Sequence, residues 1–333
     1  MNKPTLDIIG IGKALPKNCV TSEALDKQLG LPNGKMFRQT GLKQRHFLGQ
    51  DESADDLQRR AIDEALRSAN LSIDDIDCVI NASGTMRQAI PFNAANTARL
   101  LKTKKPLSCF DVNMTCLSAL RALELCDYLL LRYRRILLVS CEIASVGLNW
   151  DNLHESGIFG DGAAAMVVTG EPSRHGSRGG ILSAHFAQLP EGYDYCAITG
   201  GGHRNHPSTF VGDYKSQGHF HMDGKKLYRL VAKEMPVFLR DTIAPTGLNW
   251  SDIDWVVPHQ ASRFSLDHIV KFLDISKDKV IDIFNEHGNQ IAASIPTALY
   301  HLFHDKPIKS GDKVLLAGTS AGVGLGAMIW EKP

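Results

Sequence analysis

"LSIDDIDCVINASG", residues 71–84, and "LNWSDIDWVVPHQA", residues 248–261, share a polar turn, an Asp-Ile-Asp and a short apolar run. The fold follows from that recurrence. Two further pairs keep the same order along the chain: "YRRILLVSCE" (133–142) with "GDKVLLAGTS" (311–320), and "GDGAAAMVV" (160–168) with "GVGLGAMIW" (322–330). The period, about half the chain, is too long for a solenoid and predicts one α/β unit used twice. Short apolar runs alternate with helical periodicity over 53–69, 116–131, 225–242, 262–273 and 291–304, the pattern of mixed sheets covered by helices. The connector-like stretch "EPSRHGSRGG" (171–180) puts the boundary near residue 175, giving halves 1–175 and 176–333. Residues 191–224 have weak periodicity, and a long loop on a rigid scaffold more often shapes a site than a core.

Composition excludes several function classes. With 37 Lys plus Arg against 36 Asp plus Glu, the net charge is +1, so no global field recruits nucleic acid or an anionic membrane. The start lacks a cationic segment and a small-residue cleavage site, and "YLLLRYRRILLVS" (128–140) is broken by three arginines, so neither a signal peptide nor a membrane span is expected. The expected location is the cytoplasm. Seven cysteines, odd in number and without CxxC spacing, argue against a disulfide framework and a zinc ribbon.

"DVNMTCLSAL" (111–120) makes one of them chemically interesting. An apolar strand at 107–112 leads directly into a helical run whose first turn carries Cys116. Unpaired N–H groups and the macrodipole at a helix N-terminus favour a thiolate, and can also hold the oxyanion of a tetrahedral adduct. A nucleophilic Cys needs partners that manage protons or negative charge. His259 follows a strand and Pro258 in "DWVVPHQAS" (254–262), and Asn289 follows Gly288 in "NEHGNQIAASIP" (285–296), before another apolar helix. In a duplicated sheet these strand ends face one crevice, so Cys116, His259 and Asn289 can converge.

Together "DVNMTCLSAL", "FGDGAAAMVV", "VVPHQAS", "HGNQIAASIP" and "GTSAGVGLGAMIW" resemble the successive motifs of the β-ketoacyl-acyl-carrier-protein synthase III group of the thiolase superfamily, over essentially the whole chain. The resemblance implies a five-layer αβαβα fold, a homodimer and no bound metal or cofactor. It implies that Cys116 is acylated by an acyl-CoA or acyl carrier protein thioester, with the backbone N–H groups of Cys116 and Ala321 holding the oxyanion. It further implies that His259 and Asn289 stabilise the enolate left when malonyl-ACP loses carbon dioxide. An acyltransferase delivering the group to an alcohol or amine is the competing enzyme reading; a non-catalytic partner protein is the third.

The family's CoA grip is altered here. Relatives that take short acyl-CoA primers carry a Trp and an Arg before "TGxxxRH" and an Arg after "HQA". At the matching places stand Lys35, Gln39 and Phe264, with Arg38 and Arg263 one position away, so these residues are the candidate substrate contacts. Ile90 in "TMRQAIPFNA" (85–94) replaces a common Phe of the segment that lines the partner's acyl pocket, which suggests a different chain-length preference. No Asp or Glu occurs from Asn81 to Phe110, where non-decarboxylating relatives place a glutamate base, so decarboxylation or plain acyl transfer is favoured.

Other signals are weaker. "GIGKALP" (10–16) lacks the third Gly of a dinucleotide fingerprint and reads as a strand-to-loop turn. His203, His206, His219 and His221 read as solvated loop histidines. Glu142 reads as a base or as a strand-end carboxylate bonded to backbone. Lys225, Lys226, Arg229 and Lys233 form a basic helical face that an acidic carrier protein could dock on.

Overall fold

The computed structural model describes residues 5–171 and 179–333; the boundary expected near 175 lies outside the described residues. The three matched segments become three strands at the same places in two sheets. In the first sheet Cys78–Asn81 runs parallel to Arg135–Glu142, which pairs antiparallel with Gly162–Thr169, and that strand with Asp7–Ala14. In the second, Trp255–Pro258 runs parallel to Lys313–Ser320, which pairs antiparallel with Gly324–Glu331, and that strand with Gly180–Gln188. A fifth strand, Ser108–Asp111, extends the first sheet beside Cys78–Asn81; its counterpart beside Trp255–Pro258 is a single parallel bridge from Val256 to Val280.

The repeated Asp-Ile-Asp has a mechanical reason. Asp75 and Asp252 close capping boxes with Ser72 and Asn249. The N–H of Asp77 donates to Arg135 O at 3.0 Å, and that of Asp254 to Lys313 O at 3.0 Å. Their carboxylates accept from the start of the neighbouring strand, Arg134 N to Asp77 at 2.9 Å and Lys313 N to Asp254 at 2.9 Å. Each Asp therefore fixes the register of its parallel pair.

Alternation along the strands builds five layers. Ile136 and Leu138 of the first sheet and Val314 and Leu316 of the second face a shared core with Leu120 and Leu123 of helix Ser118–Leu129 and Ala298 and Leu302 of helix Ser294–Asp305. Leu137 and Val139 face the other way, onto Leu57, Ala61 and Ala65 of helix Ala54–Ser68. Leu315 and Ala317 face Phe238 and Leu239 of helix Gly224–Ile243 and Leu273 of helix Arg263–Leu273. The order helix, sheet, helix pair, sheet, helices is the αβαβα stack that the family resemblance implies. No helix among the described residues is long and apolar enough to cross a membrane.

"GIGKALP" is not a strand-to-loop turn: its glycines lie inside strand Asp7–Ala14. A Cβ on Gly10 would lie 2.4 Å from Ala65 O, and one on Gly12 would lie 2.3 Å from Ala61 O, so both glycines let the helix backbone press onto the strand. Gly12→Ala is expected to destabilise the fold by about 1–3 kcal/mol through overpacking. A urea melt should show a lower midpoint at unchanged slope; an unshifted midpoint would contradict this packing.

Candidate active site

Two strained turns carry the candidate residues Cys116 and Asn289. Thr115 has φ 47° and Ile291 φ 48°, left-handed conformations that cost a β-branched residue roughly 1–2 kcal/mol each. The two turns are built alike. Asn113 Oδ1 accepts from Thr115 N at 2.9 Å and Asn289 Oδ1 from Ile291 N at 2.9 Å. Ser118 Oγ accepts from Met114 N at 2.9 Å and Ser294 Oγ from Gln290 N at 3.0 Å. Because an amide NH2 cannot accept a hydrogen bond, the first contact fixes the Asn289 side chain with Nδ2 left as a donor.

Neighbouring motifs seat these turns. Gly84 is wedged between them: a Cβ there would lie 2.6 Å from Ile291 Cγ2 and 3.1 Å from the Thr115 carbonyl. Buried Glu142 holds this loop, accepting from Gly84 N at 2.6 Å, Thr85 N at 2.8 Å and Thr85 Oγ1 at 2.7 Å, with the Ala292 backbone also bonded to it. Of the two readings of Glu142, the backbone-bonded carboxylate is the one observed. In "FGDG", a Cβ on Gly160 would strike His287 O at 2.2 Å and one on Gly162 the Gln290 amide at 2.1 Å, so both glycines make room for the Asn289 loop. Asp161 between them accepts from Leu48 N and Ser145 N at 2.8 and 2.9 Å.

His259 completes the group. Its N–H donates to Ala317 O at 2.8 Å, extending the parallel pairing past Pro258. Gln260 anchors the turn, donating to Pro258 O at 2.8 Å and Ile281 O at 3.0 Å and accepting from Ile283 N at 3.0 Å. Gly318 lets the imidazole pass, since a Cβ there would lie 2.6 Å from His259 Cβ and 3.2 Å from Leu117. The turn Thr115–Leu117 packs against both Ile291–Ala293 and strand Lys313–Ser320, so the Cys116, His259 and Asn289 segments adjoin. His259 is 4 % exposed, and its buried Nδ1 has no hydrogen-bond partner among the described residues.

The electrostatics differ from the sequence expectation. Burial, with smaller contributions from the Glu142 carboxylate and the Cys196 thiol, pushes the Cys116 thiol up to about 12 rather than down. The reason lies in the turn. Helix Ser118–Leu129 begins after Cys116, and the N–H groups of Met114, Thr115 and Leu117 are already bonded to Ser118 Oγ, Asn113 Oδ1 and Met114 O. The backbone N–H groups of Cys116 itself and Ala321 favour the thiolate, by less than burial opposes it. Burial also holds His259 down to about 4, so the pair is neutral thiol and neutral imidazole near pH 7. The Glu142 carboxyl rises to about 8, again chiefly through burial.

The candidate substrate contacts divide. Arg263 is committed to a two-pronged pair with Asp282, with Nη2 to Oδ1 at 3.1 Å. Phe264 is 60 % exposed and packs edge-on against Tyr228 at 4.7 Å between centroids. Lys35 and Arg38 are exposed, and the half-buried Gln39 has an Nε2 without a partner among the described residues. Ile90 is 85 % exposed and so walls no pocket within one chain. Sequence reasoning missed Asn113, Gly84 and the nearby Cys196. Aligning "DVNMTCLS" with "HGNQIAAS" residue by residue gives the first of these.

Known proteins resemble this chain over its whole length. Residues 110–188 match the model of 3-oxoacyl-[acyl-carrier-protein (ACP)] synthase III, and residues 243–332 that of its C-terminal part. The chain is 31 % identical to the β-ketoacyl-[acyl-carrier-protein] synthase III of Granulibacter bethesdensis over 325 residues, 97 % of this chain and 98 % of that protein. It is 32 % identical to the enzyme of the same name from Allorhizobium ampelinum over 323 residues, covering 96 % and 97 %. The 3-oxoacyl-[acyl-carrier-protein] synthase III structure from Aquifex aeolicus superposes with TM-score 0.85 at 27 % identity, covering 98 % of this chain and 99 % of that one. OleA from Xanthomonas campestris shares the fold, with TM-score 0.84 at 22 % identity over 99 % of each chain.

With the thiol near 12 and His259 near 4, iodoacetamide alkylation of Cys116 is expected to climb about tenfold per pH unit from pH 7 to 10 without levelling. Glu142→Gln removes a charge that raises the thiol, and should move the curve to lower pH. A plateau near pH 7, measured by peptide mass spectrometry, would instead reveal a thiolate–imidazolium pair and refute the neutral resting site.

Proposed function

The chain belongs to the 3-oxoacyl-acyl-carrier-protein synthase III family and is an acyltransferase of that type, and from this premise we propose that it is a decarboxylating ketosynthase in fatty acid or specialised acyl-chain synthesis. An acyl thioester loads Cys116. The sulfur attacks the thioester carbonyl with the oxyanion resting on the N–H groups of Cys116 and Ala321, and as the adduct collapses the bond to the carrier's sulfur breaks, the carrier leaving as a thiol with the proton that Cys116 gives up. The reading is carried by the meeting of the Cys116 turn with the Asn289 turn and the strand beside His259. A thiol this weakly acidic is activated only as charge moves onto that oxyanion, so acylation depends on the donors more than on a resting thiolate.

A malonyl thioester then enters in place of the departed carrier. Its carboxylate leaves as carbon dioxide, and the electron pair passes into an enolate whose oxygen accepts from His259 and from Asn289 Nδ2. A neutral imidazole suits this role: it donates a hydrogen bond without requiring a buried positive charge. The enolate carbon attacks the acyl carbonyl, and the C–S bond to Cys116 breaks, giving a 3-oxoacyl thioester. The Asn81–Phe110 segment supplies no carboxylate base, which supports decarboxylation over direct deprotonation.

Donor and assembly follow from the surface. Arg263 paired with Asp282 and Phe264 exposed beside Tyr228 leave a poor grip for nucleotide phosphates, which supports an acyl carrier protein as donor. Exposed Lys225, Lys226, Arg229 and Lys233 provide a basic face for it. Met86, Ile90 and Phe92 stand exposed in one segment, as expected for a homodimer in which it lines the partner's acyl pocket. Seven free thiols suit a reducing, cytoplasmic setting.

Intact mass spectrometry with acyl-ACP and acyl-CoA panels is expected to show an adduct that Cys116→Ala abolishes and malonyl-ACP discharges. His259→Ala and Asn289→Ala should keep the adduct while slowing carbon dioxide release by about 10²–10³-fold each. An adduct discharged by an alcohol or amine, with no malonyl-dependent carbon dioxide, would establish acyl transfer instead.

A further inference from the structure

Lys13 of "GIGKALP" reaches from strand Asp7–Ala14 to two histidines of the second half. Its ammonium donates to His301 Nε2 at 2.6 Å and approaches His287 Nε2 at 3.5 Å. Acceptors on the opposite ring nitrogens fix both tautomers. His287 Nδ1 lies 3.2 Å from Ile283 O and His301 Nδ1 lies 2.6 Å from Asp305 Oδ2, so each proton sits on Nδ1 and each Nε2 accepts. The ammonium stands 5.0 Å from the centre of the Tyr300 ring; Tyr300 donates to Glu64 at 2.8 Å, and Glu64 accepts from Lys13 N at 2.8 Å. His304 stacks on Tyr300, and His46, bonded to Pro16 O, faces His287 from strand Gln44–His46. One ammonium thus joins its own strand to helix Ser294–Asp305 and to the short helix Phe284–His287.

That short helix leads into the site. Buried His287 stands two residues before Asn289. Its carbonyl occupies the space left by Gly160, Gly288 follows at φ 69°, and Asn289 N then donates to Ile158 O at 2.8 Å. Backbone bonds therefore hold Asn289 to Ile158–Gly160, while the His287 side chain ties the same turn to strand Asp7–Ala14.

We propose that Lys13 is a positioning residue for Asn289, acting through His287, and that protonation of His301 undoes this hold and slows condensation in acid. The inference rests on the decarboxylative reading above, in which Asn289 Nδ2 donates to the enolate. A protonated His301 cannot accept from Lys13, and two cations at that separation repel each other. The ammonium must then move, and His287 loses its partner. Solvent can deliver the proton, since the His301 side chain is 22 % exposed and that of Asp305 59 %. At rest the imidazoles are neutral. Burial, with Lys13 and His301 adding to it, holds His287 down to about 3. Burial also lowers His301, opposed by its bond to Asp305 and aided by Lys13 and His304, and it lowers Lys13 against the pull of Asp305 and Glu64. The folded chain therefore binds fewer protons here than the unfolded one. The hold is whole above the ordinary histidine value of 6.5 and is lost as the pH falls through the lowered value of His301.

The experiment starts from enzyme already acylated at Cys116, the adduct being checked by mass, and follows carbon dioxide release from malonyl-ACP between about pH 7.5 and 5. At pH 7 Lys13→Met should lower the maximal rate about tenfold while the half-saturating malonyl-ACP concentration stays within about twofold, the pattern of a donor displaced by less than 1 Å. Lys13→Arg keeps a donor and should recover part of that loss. His301→Gln accepts from Lys13 through Oε1 and donates to Asp305 through Nε2, yet takes up no proton in this range. Its rate should fall at least about threefold less than that of wild type on acidification. Hydrogen exchange at pH 7 reads the hold without turnover: the segment 284–293 should exchange faster in Lys13→Met than in wild type, and 111–120 should not. Equal acid limbs in wild type and His301→Gln, or an unchanged maximal rate in Lys13→Met, would overturn the proposal while leaving the ketosynthase reading intact. Should Lys13→Met fail to fold, the acid limb of His301→Gln decides alone. An acyl adduct with no carbon dioxide release at any pH would overturn both.

Discussion

A buried carboxyl group organises the candidate site through the backbone it holds. Glu142 sits at the end of a central strand and accepts from Gly84 N, Thr85 N and Thr85 Oγ1. That loop wedges between the turns holding Cys116 and Asn289, both of which contain a β-branched residue at positive φ. Local sequence alone would relax such turns, so they persist only where their surroundings over-determine them. The glycines of "FGDG" do the same from the other side, since any side chain on Gly160 or Gly162 would occupy the Asn289 loop. Residues with no chemical role thus set the positions of those that have one.

The same burial explains the electrical state of the site. With no cation beside the sulfur and a carboxyl group close by, the thiol is raised, and the imidazole is lowered because a buried charge has no compensating partner. A site of neutral groups is suited to a reaction whose negative charge appears first on an acyl oxygen and then on an enolate oxygen. Donors fixed in advance stabilise charge that arises only during the reaction, which selects the transition state over the bound substrate.

Much of this was legible in the sequence because duplication leaves a register. The Asp-Ile-Asp pairs marked equivalent parallel strands, and helix spans such as 53–69 and 262–273 stand within a residue or two of Ala54–Ser68 and Arg263–Leu273. The family assignment rested on five motifs and agrees with relatives spanning 97 % of the chain. What was not legible depends on three-dimensional surroundings. A lowered thiol pKa follows from a helix N-terminus whose N–H groups are free and solvated, whereas here burial decides otherwise, with the distant Glu142 adding to it and the near Asn113 already holding the N–H of Thr115. The glycines of "GIGKALP" answer to a helix some fifty residues away, a contact that local turn chemistry does not report. The departures at Gln39 and Phe264 were visible in the sequence, whereas the pairing of Arg263 with Asp282 was not, because charge alone does not say where a side chain is already spent.

Duplication also shows how the reactive set could arise from an inert frame. By register, Cys116 corresponds to Ala292, His259 to Ala82 and Asn289 to Asn113. The backbone is the same at each pair: Ala82 N donates to Val139 O at 2.7 Å as His259 N does to Ala317 O at 2.8 Å, and the two Asn turns close with equal 2.9 Å bonds. The strained turns, the strand ends and the side-chain braces therefore belong to the frame, and two differences, one per half, add a thiol and an imidazole to it. Each half lacks what the other supplies, so the site exists only where the copies face each other across the shared helix layer. The strongest constraint on this chain is accordingly the packing of that layer, because a shift of either half would separate a sulfur that both must serve.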